Sequence, residues 1–299
     1  MERKKLKEWA KNAFYRSYWK SVLVSLISVV TTFIVTYIIT YGLSLLLGFG
    51  TSFGILGIIG FLTNEWDEEG LVVMGIVGAF VLIFSMEMMV VGTALKGFLT
   101  NPLEIGCKKY WCAGLYEKEP KLKALGAGFS KHYGNMAKVM FVRDIILGLW
   151  ITLSMTVYMV VGMAIAYGGV ALLAIYEDSM SEVAFILWTI LLVLVVYIVY
   201  FATCIPAYIK VLQYLFVPYI LAEHPDMPRK QVFALSKQMV KGNKWKIFVM
   251  NLSFMGWLLL SMCTCGILQI FYVGPYIEYT ITAYYKALKQ NLEGQSCPL

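Results

Sequence analysis

Residues 183–209 read VAFILWTILLVLVVYIVYFATCIPAYI, an apolar run without one charged side chain. A helix of about 20 such residues crosses a hydrocarbon core about 30 Å thick. The run is continuous rather than alternating, which excludes a barrel strand. Residues 21–46, 71–95, 139–168, 247–264 and 267–288 share its character. The fold class is therefore an all-α, polytopic transmembrane helix bundle of about six spans. Residues 1–299 form a single integral membrane domain.

Composition agrees. The chain has 299 residues, 60% hydrophobic and 14% charged, whereas a soluble domain carries about 25% charged and about 45–50% apolar residues. A soluble globular enzyme, a disordered regulator and a disulfide-stapled secreted domain are excluded. The first apolar run is too long for a signal-peptide core and lacks a small-residue cleavage site, so it reads as the first span.

Charge gives the orientation. All 25 Lys and Arg residues fall before span one, between spans two and three, from the end of span four to the start of span five, or at the end of the chain. The opposite loops hold only acids: Glu65, Asp67, Glu68 and Glu69, then Glu177, Asp178 and Glu182. The positive-inside rule then puts both termini in the cytoplasm and the chain in the cytoplasmic (inner) membrane, multi-pass. The Gly-rich run 48–60 is too short for a further crossing. It reads as an outer extension of span one or a re-entrant piece.

Basic amphipathic helices are expected on the cytoplasmic side at residues 2–20, 121–140 and 228–243. The first sets Leu6, Trp9, Ala10, Ala13 and Phe14 against Arg3, Lys4, Lys7, Lys11 and Arg16. The third sets Val232, Leu235, Met239 and Val240 against Arg229, Lys230, Lys237 and Lys241. Such helices lie in the plane of anionic headgroups or pack on the cytoplasmic face of the bundle. Trp19-Lys20 and Trp245-Lys246 repeat one pattern before spans one and five, as membrane-surface anchors do. Each amphipathic stretch leads into a helical hairpin, so the chain parses as three like-oriented units.

Prolines mark expected helix breaks. Pro206 falls where span four should leave the bilayer, with 207–222 continuing along the surface; Pro275 falls inside span six.

The C-terminal half resembles a known family. Ile205-Pro206-Ala207-Tyr208-Ile209-Lys210, Val217-Pro218-Tyr219-Ile220-Leu221-Ala222-Glu223-His224-Pro225, Asn243-Lys244-Trp245-Lys246 and Pro275-Tyr276 carry the likeness, with Pro102-Leu103-Glu104-Ile105-Gly106 and the basic N-terminal helix. Together they are similar to an uncharacterised bacterial integral-membrane family known only as domain of unknown function nine-seven-five. Ala207, where that family has Gly, and Cys263 and Cys265 depart from its pattern. The resemblance implies a multi-pass membrane protein and supplies no activity.

Ionisable groups inside spans are the first functional candidates. They are Glu87 in span two, Glu278 near the middle of span six and Lys210 at the end of span four. A carrier would use the carboxylates as proton or cation sites; the alternative is a Glu paired across helices or with a snorkelling Lys. Asp144 beside Arg143 reads as a local ion pair. No zinc ligand set, phosphate loop or nucleophile elbow is present, so neither an enzyme nor a metal or cofactor is expected. The expected partners are the bilayer with its anionic headgroups and, on the cytoplasmic face, a protein; nucleic acid is not. The first functional expectation is a permease-like bundle handling a small solute or lipid. The second is a scaffold or accessory subunit that recruits a partner through its cytoplasmic helices.

Overall fold

The structure, a computed structural model, describes residues 3–63, 87, 91–176, 181–292 and 294, with backbone alone at 42–63, 170–176 and a few isolated positions. Every element among the described residues is helical. Helix α1 (Arg3–Arg16) turns at Ser17 into α2 (Tyr18–Thr63). A π-helical segment, Lys96–Thr100, runs into α3 (Asn101–Gly114), and a 3-10 segment, Leu122–Phe129, precedes α4 (Tyr133–Tyr176). Then come α5 (Glu182–Gln213), α6 (Val217–Glu223), α7 (Arg229–Val240), α8 (Lys244–Leu252) and α9 (Met255–Cys263). A second π-helical segment, Gln269–Val273, opens into α10 (Gly274–Leu292).

Among the described residues four stretches are long and apolar enough to cross a membrane: Tyr18–Ile39, Tyr133–Gly169, Val183–Glu223 and Lys244–Cys263. Their apolar side chains are largely uncovered. No residue in the most apolar window of Val183–Glu223 is buried, and Leu187, Leu194, Ile198 and Phe201 are each more than half exposed. A face of that size is stable only in an apolar solvent. The chain is a protein of apolar helices suited to a membrane.

The buried core lies where these helices begin and end. Leu6, Ala10, Ala13 and Phe14 recur at helical spacing, are at most 2% exposed, and pack α1 along α10. Val232, Met239 and Val240 bury the inner face of α7, and every residue from Val217 to Ala222 in α6 is buried. The apolar faces of α1 and α7 are thus covered by protein. Glycine fixes one contact at backbone distance: a Cβ on Gly106 would overlap the Leu125 carbonyl, and one on Gly128 the Pro102 carbonyl. Each glycine receives the other element's main chain, locking α3 to the 3-10 segment.

Several expectations are corrected. Residues 121–140 are not one helix: the 3-10 segment ends at Ser130, which is extended, and residues 133–140 are the first turns of α4. Gly126 and Gly128 weaken α-helix there, and the tighter segment lets Gly128 meet Pro102. Pro206 does not end its helix, which runs on to Gln213; one missing N–H is tolerated, and the break comes at residues 214–216. Pro218 then sits in the first turn of α6, where a missing donor costs nothing. Residues 207–222 are therefore two helices, the second of them buried. Helix α10 covers most of the expected span 267–288, with Tyr279, Ala283, Tyr284 and Ala287 in the core. The run 48–60 continues α2, whose 46 residues extend about 69 Å. Most of the expected span 71–95, and Glu65, Asp67, Glu68, Glu69, Glu177 and Asp178, lie outside the described residues.

Candidate functional site

Two proline-led helices carry the site. Pro102 and Pro275 each follow a π-helical segment by one residue, and both sit in the first turn of their helix. The Asn101 N–H donates to Lys96 O and the Gly274 N–H to Gln269 O, each five residues back. Pro102 cannot donate to the Phe98 carbonyl as a regular helix requires. That carbonyl instead accepts from the Tyr133 hydroxyl at 2.9 Å. At the second segment, a Cβ on Gly274 would stand 2.9 Å from Ser25 Oγ, so glycine brings α10 hard against α2. Such widened turns recur at functional positions because they re-aim side chains within a helix.

Between these turns charged groups converge from four helices. Lys108 of α3 donates to Glu278 of α10 at 2.6 Å, and the Tyr219 hydroxyl of α6 donates to the same oxygen at 3.3 Å. The Lys108 ammonium also lies 5.0 Å from the centre of the Tyr219 ring. One turn away, Arg143 of α4 grips Glu104 with two nitrogens, at 3.0 and 3.3 Å, and reaches Asp144 at 2.9 Å. Asn101 donates to Asp144 at 2.8 Å. Lys96 is held most loosely, 3.8 Å from Asp144.

These groups border a cavity of about 270 Å³ against α2, closed on the far side by Ser28 and Thr32. A smaller space of about 130 Å³ adjoins it, lined by Ser25, Cys107, Gln269 and Gly274 and sharing Ser28, Glu104, Lys108 and Glu278. Thr100 lines the larger space and Gln269 the smaller, and each has a buried side-chain oxygen without a hydrogen-bond partner.

The electrostatics favour the charged forms of Glu104 and Lys108. Burial pushes the Glu104 carboxyl up, but Arg143, Lys108 and Lys96 override it and hold it below the usual carboxylate range. Burial pushes the Lys108 ammonium down, and Glu278, with Tyr219 and Glu104, reverses this and holds it above the usual lysine range. Burial lifts the neighbouring Cys107 thiol to about 12, far from a nucleophilic thiolate at neutral pH.

Of the expected site residues, Glu278 alone stands here. Tyr279, next to it, bonds Ser17 and Ser21 at 3.0 and 3.2 Å, level with the start of α2. Glu87 is exposed. Lys210 lies 4.6 Å from the centre of the Trp150 ring, an anchoring contact away from the cavity. Trp19 and Trp245 are about three-quarters exposed; Lys20 pairs with Glu119, and Lys246 is exposed. The Arg143–Asp144 pair forms as expected and extends to Glu104. Lys108, Glu104, Arg143, Tyr219, Thr100 and Gln269 carried no signal as a group. The one local cue was Pro102-Leu103-Glu104, a proline followed two positions later by an acid.

Neither a curated protein nor a solved structure matches the chain. A family model does, over residues 1–292 and thus across the whole described core. The chain belongs to the family described as protein of unknown function DUF975.

Proposed function

We propose that this chain is a non-enzymatic, six-span carrier of the cytoplasmic membrane, with both termini in the cytoplasm, that holds a small charged solute at the foot of α2. One observation carries the reading: a mixed-charge cavity of about 270 Å³ lies where the apolar helices meet the core. Purely structural ion pairs would fill such a space with each other. Here Lys96 is held only loosely, and Glu278 shares its oxygen between Lys108 and Tyr219. A solute carrying opposite charges exchanges with these pairs without leaving a buried charge unpaired.

The orientation has support of its own. The segments that the charge rule assigns to one side pack together: Arg16 bonds the Leu115 carbonyl at 2.9 Å and Lys20 the Glu119 carboxylate at 2.8 Å. The exposed Trp19 and Trp245 rings suit the headgroup layer of an anionic leaflet.

Glu278→Gln keeps the side-chain shape and removes the charge. In proteoliposomes screened with charged amino acids and amines, the variant should abolish solute-driven current while melting as a folded protein. Undiminished current in the variant removes Glu278 from the mechanism. A second reading, a scaffold or accessory subunit, is favoured by the basic outer face of α7, where Arg229, Lys230 and Lys237 are exposed. Stoichiometric capture of a partner from native membranes, lost on reversing those charges, selects it over the carrier.

A further inference from the structure

A second space, separate from the charged cavity, lies between the Lys96–Thr100 segment and the start of α4. Its volume is about 700 Å³. Ala94, Gly97 and Phe98 form one wall, and Ala137 and Phe141 the other. The walls stand close at Gly97, where an added Cβ would meet the Phe141 ring at an ordinary contact distance of 3.6 Å. The Tyr133 hydroxyl, bonded to the Phe98 carbonyl, ties the walls together. The groove is therefore held open by built contacts, yet Phe98 and Phe141 are 65% and 44% exposed, so its apolar surface is unfilled.

Charge decides what fits. Lys138 is the single ionisable cation bordering the groove among the described residues; it is exposed, and no described carboxylate pairs with it. No described lining residue is acidic. Tyr133–Gly169 is one of the four apolar stretches, and Lys138 lies in its second turn, the depth at which headgroups sit. A long carbon-walled groove with one cation at headgroup depth matches a ligand that lays a hydrocarbon chain beneath a negative charge. We infer that this groove binds one anionic phospholipid, with one of its two acyl chains between Ala94, Phe98 and Phe141 and its phosphate on Lys138.

The inference rests on the membrane reading but not on transport. The test uses the full chain in mild detergent and native mass spectrometry, with phosphatidylglycerol and phosphatidylcholine of identical chains as probes. The wild type should retain one phosphatidylglycerol in preference to phosphatidylcholine. Ala94→Trp fills the groove from an exposed position and should remove the bound lipid. Lys138→Gln changes an exposed side chain without touching the core and should weaken phosphatidylglycerol about fivefold, the effect of one lysine at an anionic surface. Equal retention of both lipids by the wild type, or undiminished retention by both variants, overturns the site and leaves only an unspecific lipid belt. A chain that stays in water without detergent overturns the membrane reading itself.

Discussion

Lys108 and Glu278 stand 170 positions apart in sequence and 2.6 Å apart in space. Their side chains are 13% and 31% exposed, so the pair is neither a surface ornament nor a fully dry bridge. Removing one partner leaves the other charge half-buried. Lys108→Met should therefore cost about 2 kcal/mol in unfolding, below the range for fully buried pairs because Glu278 keeps some water. The double replacement by Met should recover most of that loss, since two apolar side chains need no partner. Calorimetric melting of the two variants checks this, and a double variant no better than the single one argues against the pairing. Function divides the variants differently: both should lose solute current, because the cavity loses its charges either way.

The same groups set the pH response. The Glu104 carboxyl is held below its ordinary 4.5 in the folded chain, so its contribution is complete above that value and disappears as pH falls through the lower folded value. Lys108 is held above its ordinary 10.5, so its contribution persists up to that pH and is lost only in stronger alkali. Thermal stability in detergent should thus be flat between about pH 5 and 10 as far as these groups set it, with an acid loss that Glu104→Gln abolishes. An acid loss of unchanged size in Glu104→Gln places its origin elsewhere.

Among the elements, the interlock of α3 with the 3-10 segment is the most sharply determined contact. Gly106→Ala and Gly128→Ala each drive a methyl into a carbonyl of the opposing main chain and should cost about 3 kcal/mol. Gly126, between Leu125 and Gly128 in the same segment, has nothing within 4 Å of its would-be Cβ, and Gly126→Ala should be nearly neutral. A chain in which the three substitutions melt alike lacks this packing. Helix α1 supports a further test. Its Leu6, Ala10, Ala13 and Phe14 cover α10. Removing residues 3–16 should lower the melting temperature and expose dye-binding apolar surface.

What could be read from the sequence followed from periodicity. The apolar faces of α1 and α7 show in their spacing, and the runs behind Tyr18–Ile39, Tyr133–Gly169, Val183–Glu223 and Lys244–Cys263 show in their length. Glu278 could be singled out because a carboxylate in an apolar stretch needs a partner. Its partner could not be, because no local pattern brings position 108 to position 278. The π-helical segments were equally hidden: one extra residue per turn has no compositional signature, and Pro102 and Pro275 announce an irregularity without its form. Pro206 shows the converse, a strong local signal that the surrounding helix absorbs.

On the scale of the whole molecule, one packed body of short helices sits at the foot of long apolar ones, with a charged cavity at their junction. Orientation determines what that cavity can reach: if the body is cytoplasmic, the cavity opens from the cytoplasmic side. The account turns on that assignment. In a cysteine-free chain, single cysteines at Glu68, Asp178, Lys118 and Lys241 can be labelled in intact cells with a membrane-impermeant maleimide. The account predicts rapid labelling at positions 68 and 178, and labelling at 118 and 241 only after the membrane is opened. Labelling of 118 or 241 in intact cells, or protection of 68 and 178, contradicts it.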